Sequence, residues 1–210
     1  MFSFPDGHVS LTCLRPPSKL APIGRTPAYR QAGGLLYRRG MTLLTGSPSA
    51  QAIVDQLKAA RVEFVIRVPD RTTSRLSELI EQDPSFTFVP VCKEDEGVSI
   101  CAALSYGDRR AVLLIQHTGV LDSVNSIRSV ASELGLPLVM VVGLLGKERG
   151  VRPVDSSSVG VKVTAPILDI LNVPHLLVDR TGDESLVSAL IEDAYAAPHP
   201  VAILVGPGLA

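Results

Sequence analysis

The stretch AVLLIQHTGVLDSVNSIRSVASELGLPLVMVVG, residues 111–143, decides the fold of this chain. It opens with a continuous apolar run that turns polar at Gln116 and His117, and it closes with a second run from Leu138 to Gly143. Neither run alternates apolar with polar residues, so each reads as a strand covered on both faces. Between them, residues 121–134 read as a helix. Two such strands joined by a helix form a parallel crossover unit.

The same alternation extends in both directions. Ser47 or Ser49 is placed to cap a helix running to about residue 61, with Pro48 tolerated in its first turn and Ile53, Val54 and Leu57 on its apolar side. Residues 64–68 read as strand, 70–82 as helix, 86–91 as strand and 94–106 as helix. Beyond Gly143, residues 164–171 and 183–196 read as helices, and 176–179 and 201–205 as strands. The expected fold is α/β: a doubly wound, mainly parallel sheet flanked by helices, in a single domain over residues 41–210.

Residues 1–40 differ in kind. They carry six basic residues against the single acid Asp6, with scattered proline and glycine and no sustained period. The segment is expected to be a disordered basic extension, with Met41 as the natural start. A formal charge of −1 over 210 residues gives no electrostatic footprint for nucleic acid, and no apolar run is long enough to span a membrane. Three cysteines without CxxC spacing suggest reduced thiols in a cytoplasmic protein. The four histidines have no ligand-like spacing, so no metal site is expected on this chain.

In sheets of this kind, ligands sit beyond the carboxyl ends of the strands. The loops to watch are therefore residues 69–73, 92–96, 116–119 and 144–153. They hold no GxGxxG, no GxxxxGK[ST] and no GxSxG, which argues against a dinucleotide fingerprint, a P-loop and a nucleophile elbow. Asp122, Ser123 and His117 show no order that would make them a hydrolase triad. KEDEGVSICAALSY, residues 93–106, sets three acids at the mouth of a helix whose later turns are small or apolar. Glu96 heads a stripe of Ser99, Ile100 and Ala103. The helix N-terminus favours its ionised form, while the apolar wall and the acids Glu94 and Asp95 oppose it. A first turn of acids that only complements the helix dipole is the plain alternative, and composition leaves it open.

The run VPVCKEDEGVSICAALSYGDRRAVLLIQHTGVLDSVNSI, with FVIRVPD before it and GVKVTAPILDILNVPHLLVD after it, resembles the sulfopyruvate decarboxylase alpha subunits. It is also similar to the pyrimidine-binding domain of phosphonopyruvate decarboxylase, a related thiamine diphosphate enzyme. The resemblance covers residues 47–210 and implies decarboxylation of a 2-oxo acid, sulfopyruvate or phosphonopyruvate, to carbon dioxide and an aldehyde. It implies a catalytic glutamate that hydrogen-bonds the cofactor's aminopyrimidine; Glu96, followed by Gly97 and ten positions before Tyr106, matches it, with Glu94 as the alternative register. Ser99, Val68, Pro69 and Asp70 are implied at the cofactor. Gln116, His117 and Thr118 are implied at the substrate, and Asn125 as a residue that caps or pins its helix.

This chain departs from the family pattern at His117 and at Leu121-Asp122, positions that bear on the substrate more than on the cofactor. Of the arginines in the loops, Arg71 and Arg149 are the expected donors to the substrate's acid group. Magnesium and diphosphate binding in this family depends on a GDG motif followed by NN; here Gly107-Asp108 precedes Arg109, Gly182-Asp183 precedes Glu184, and no Asn-Asn occurs. The resemblance thus implies a beta subunit that carries the diphosphate and Mg2+ site, in a hetero-oligomer with two or more copies of each subunit. Alternatives left open are a carboligase or acyl-transfer subunit and a non-catalytic binding subunit of the same fold.

Overall fold

The computed structural model describes residues 46–206 and 208–210, so the expected basic extension and the expected start at Met41 lie outside the described residues. Six strands, β1 (Phe64–Arg67), β2 (Thr87–Pro90), β3 (Ala111–Gln116), β4 (Leu138–Gly143), β5 (His175–Val178) and β6 (Pro200–Val205), form one sheet in the order β2-β1-β3-β4-β6-β5. Every neighbouring pair is parallel, as the two-faced apolar runs require.

Successive residues of β3 show why those runs do not alternate. Val112 and Leu114 join one core with Ile53, Leu57, Leu76, Ile80 and Ile191. Ala111, Leu113 and Ile115 join the other, with Val98, Cys101, Ile127, Ala131 and Leu168. Helices α1 (Ala50–Ala59), α2 (Ser74–Glu81) and α7 (Val187–Ala196) therefore cover the first face. The second is covered by α3 (Glu94–Tyr106), by the broken segment α4 (His117–Asp122) and α5 (Val124–Ser126) with its π-helical continuation Ile127–Ser132, and by α6 (Val159–Ile170).

Helix starts follow local chemistry. The Ser49 hydroxyl accepts the Ala52 N–H at 3.2 Å, while the Ser49 N–H donates to buried Glu184. The helix expected from residue 70 begins only at Ser74, because the Asp70 carboxylate takes the N–H groups of Thr72 and Thr73 and winds residues 70–73 into a turn.

The largest departure from expectation lies between β3 and β4. The helix expected over residues 121–134 starts four residues earlier, directly at His117, breaks at Ser123 and finishes as a π-helix. Break and wide winding together let Ile127 and Ala131 both reach the core with no exposure. They leave the Ser123 and Ser132 hydroxyls buried without a partner among the described residues. Elsewhere α6 starts at Val159, five residues earlier than expected, and continues through Pro166. Residues 183–186 form a 3-10 turn ahead of α7.

Candidate functional site

The chain leaves β1 towards β2 on one side, then adds β3 on the other, so the loops after β1 and β3 part at the carboxyl edge and open a crevice there. Asp70, 5 % exposed, organises this edge. It accepts the Thr72 and Thr73 N–H groups and the Thr73 hydroxyl, and its Oδ1 takes the Gln116 carboxamide Nε2 at 2.8 Å. The Thr118 hydroxyl then donates to Gln116 Oε1 at 3.1 Å. A hydrogen bond to a charged acceptor contributes about 1.5–3 kcal/mol, so the Gln116 carboxamide is held in one orientation. Gly143, at the end of β4, makes room for the arrangement: a Cβ there would lie 2.9 Å from Thr72 Cβ and 3.0 Å from Asp70 Cγ.

Helix α3 meets the same edge with Glu94, Asp95 and Glu96 in its first turn, where backbone N–H groups favour anions. Lys93 precedes it in extended conformation and provides no side-chain cap. Glu96 reaches back instead, accepting the Cys92 N–H on Oε2 at 3.3 Å, in the manner of a capping box. Its side chain is exposed, as are Ser99 and Ala103 further along the stripe, with Ile100 half-buried between them. Glu94 turns inward: a Cβ on Gly119 of α4 would lie 2.7 Å from Glu94 Oε1. Gly97 lets the helix close on the sheet, since a Cβ there would lie 2.5 Å from Leu113 Cδ1. Burial pushes the thiol of Cys101, on the inner side of α3, well above its ordinary range, so it serves as a core residue.

His117, expected to face the substrate, is 5 % exposed. Its Nδ1 lies 3.4 Å from the Gly143 carbonyl oxygen, and its Nε2 packs where a Cβ on Gly160 would stand 2.5 Å away. Starting α4 at His117 carries the ring beneath α6, away from the open side of the loop. Asn125 pins its helix as expected, its side chain accepting from Arg128 Nη2 at 2.8 Å.

The loop between β4 and α6 is built around two carboxylates. Glu148 accepts from the hydroxyls of Ser156 and Ser157 and from the Ser157 N–H, and these donors hold its carboxyl down at about 2. Lys147 has a fully buried side chain and donates to Asp179 Oδ2 at 2.8 Å and to the Glu148 carbonyl at 3.1 Å. Arg152 pairs with Asp155, and exposed Arg149 donates to the Ser47 hydroxyl at 3.0 Å.

The structure thus draws Asp70, Gln116 and Thr118 into one network and leaves Glu96 and Ser99 open on α3. Val68 is half-buried, and Pro69 and Arg71 are exposed in the loop above them. Arg149 stands beyond β4, at the N-terminal end of α1, where Ser47 engages it. The buried Lys147–Asp179 pair was not foreseen. Lysine and aspartate 32 residues apart carry no local pattern, and only the adjacency of β4, β6 and β5 joins their loops.

These features define a class. The model of the thiamine pyrophosphate enzyme, N-terminal TPP binding domain, matches residues 49–150, from the start of α1 into the loop after β4. Among curated proteins, the sulfopyruvate decarboxylase subunit alpha of Methanothermobacter thermautotrophicus is 30 % identical over 126 residues, covering 60 % of this chain and 75 % of that protein. The subunit of the same name from Methanococcus maripaludis is 25 % identical over 161 residues, covering 75 % of this chain and 93 % of that protein. A longer protein named sulfopyruvate decarboxylase, from Methanosarcina acetivorans, is 23 % identical over 164 residues, covering 75 % of this chain and 40 % of that protein. The chain belongs to the family of sulfopyruvate decarboxylase alpha subunits.

Proposed function

We propose that this chain is the pyrimidine-binding subunit of a heteromeric thiamine diphosphate-dependent decarboxylase acting on sulfopyruvate or phosphonopyruvate. The observation that carries the reading is Glu96: a carboxylate with no cationic partner among the described residues, exposed at the first turn of α3 beside the crevice and bordered by exposed Ser99 and Ala103.

The residues fit the pyrimidine half of such a cofactor. Among the described residues Glu96 Oε1 is not engaged in a hydrogen bond and is available to a ring nitrogen, and the short side chains beyond it allow a flat ring to approach the helix. When bound, thiamine diphosphate supplies an electron sink for the bond broken as carbon dioxide leaves. Glu96, exposed at the first turn of α3, would hold the proton exchanged with the aminopyrimidine ring. Glu94, pressed against Gly119, is less suited to it. The loop at Val68, Pro69 and Asp70 forms the crevice wall. Gln116, oriented by Asp70, and Thr118 bind the substrate, with Arg71 as donor to its anionic head group.

The diphosphate and Mg2+ site belongs to a beta-type partner with GDG and NN motifs, in a cytoplasmic hetero-oligomer. One observation supports this: the relatives of similar length are named alpha subunits.

The test is to combine the chain with such a partner, thiamine diphosphate and Mg2+, and to follow carbon dioxide release from sulfopyruvate, phosphonopyruvate and pyruvate. Glu96→Gln is expected to lower kcat by roughly 10²–10⁴-fold without loss of assembly. Full activity of that variant would overturn the role of Glu96, and turnover by the chain alone would overturn the division between subunits.

A further inference from the structure

Helix α6 is apolar on both sides. Val161, Thr164, Ala165 and Leu168 are buried against the sheet, and yet Val159 is 72 % and Ile170 78 % exposed. Pro166 is exposed between them, and Val163 and Ile167 are half-buried. At 3.6 residues per turn, Val159, Val163, Pro166 and Ile170 fall within about 60° of one another, a stripe about 16 Å long. A surface helix normally turns a polar face to water, so an outward stripe of this kind marks a docking surface.

The two charged residues of the helix identify what docks there. Lys162 and Asp169 lie on the same flank of the stripe, within about 20° of each other and one near each end. Both are exposed: Asp169 approaches His175 only at 3.9 Å, and Lys162 influences Asp155, whose nearer partner is Arg152. Consider a second copy laid antiparallel across the stripe about a twofold axis between Val163 and Pro166. Val159 of one copy then meets Ile170 of the other, and Val163 meets Pro166. The operation sets each flank against the same flank of the second copy, so Lys162 of each meets Asp169 of the other with an axial offset of about 3 Å. A parallel pair would instead lay the charged flank against Ile167.

We infer that the α6 stripe is a self-docking surface, on which two copies of this chain pair antiparallel through Val159, Val163, Pro166 and Ile170, closed by two symmetric Lys162–Asp169 ion pairs. The inference is independent of the proposed catalytic role. One helix pair buries an area at the small end of specific interfaces, so the self-association is weak.

Sedimentation of the full chain over a range suited to weak association, from about 1 to 300 µM, tests it, with circular dichroism as the check on folding. A monomer–dimer equilibrium is expected. Ile170→Asp and Val159→Asp are each expected to raise the dissociation constant tenfold or more, because a twofold interface counts every substitution twice. Lys162→Asp and Asp169→Lys are each expected to weaken pairing several-fold, and the double variant Lys162→Asp/Asp169→Lys to restore it to within about twofold of the parent. A chain monomeric throughout the range overturns the inference. So does a dimer indifferent to Ile170→Asp and Val159→Asp, or a double variant no better than the singles. A stripe needed only for binding the beta-type partner also overturns it.

Discussion

Replacing Lys147 by methionine removes the cation from the most buried ion pair among the described residues. The Lys147 side chain is wholly buried and that of Asp179 is 12 % exposed, with Nζ and Oδ2 2.8 Å apart. Methionine preserves most of the volume, so the loss comes from the Asp179 carboxylate stranded with little access to water. Its position leaves no easy escape, because Gly206 packs so closely that a Cβ there would lie 3.0 Å from Asp179 Cγ. Removing one partner of a buried pair costs about 3–5 kcal/mol, and the residual exposure of Asp179 argues for the lower value, about 3 kcal/mol. For a chain of this size, each kcal/mol shifts Tm by about 2–4 °C, so a fall of roughly 6–12 °C is expected. Urea denaturation of the parent, Lys147→Met, Asp179→Asn and the double variant forms a double-mutant cycle in which the double variant loses less than the sum by more than about 1 kcal/mol. A Lys147→Met loss below about 1 kcal/mol, or an additive cycle, would refute the claim that this pair ties the loops after β4 and β5 together.

Further expectations concern the switch-point edge and the pH profile. Gly143→Ala forces a Cβ against Asp70 and Thr72, and is expected to cost about 1–3 kcal/mol and to release the Gln116 carboxamide from Asp70. Denaturation measures the first effect and the Gln116 side-chain amide resonances the second; an unperturbed amide would contradict the network. Burial lowers the His175 pKa below its ordinary 6.5, so the folded chain holds this ring neutral where the unfolded chain protonates it. Its contribution to stability is complete above about pH 6.5 and declines as pH falls from there towards the folded value. His175→Gln is expected to flatten that part of a stability–pH curve, and an unchanged slope would show that another group governs it.

Strand identity, the parallel sheet and the helix carrying Glu96 were legible because burial writes a pattern into consecutive residues. AVLLI in β3 and LVMVV in β4 admit few readings other than strands with two covered faces. The pairing of Glu96 with Gly97 was read from the family resemblance, and the structure supplies the reason for the glycine, which stands where the helix closes on Leu113. Helix starts were less so, because Asp70 diverts the backbone N–H groups that would have begun a helix, and nothing in local propensity distinguishes that outcome from a cap.

The roles of individual polar residues depended on contacts distant in sequence. His117 looked open because it follows a strand, yet the early start of α4 and the bare Cα of Gly160 draw it inward. Lys147, Arg149 and Arg152 stand in one loop of the sequence, but they engage Asp179, Ser47 and Asp155, in three different parts of the fold. By itself the sequence determined which segments are strands and helices and that the sheet is parallel, since periodic burial is encoded locally. Which carboxylate stays open, which imidazole is sealed and which lysine is buried were decided only by the tertiary structure, because those outcomes depend on strand order and on close approaches between residues far apart along the chain.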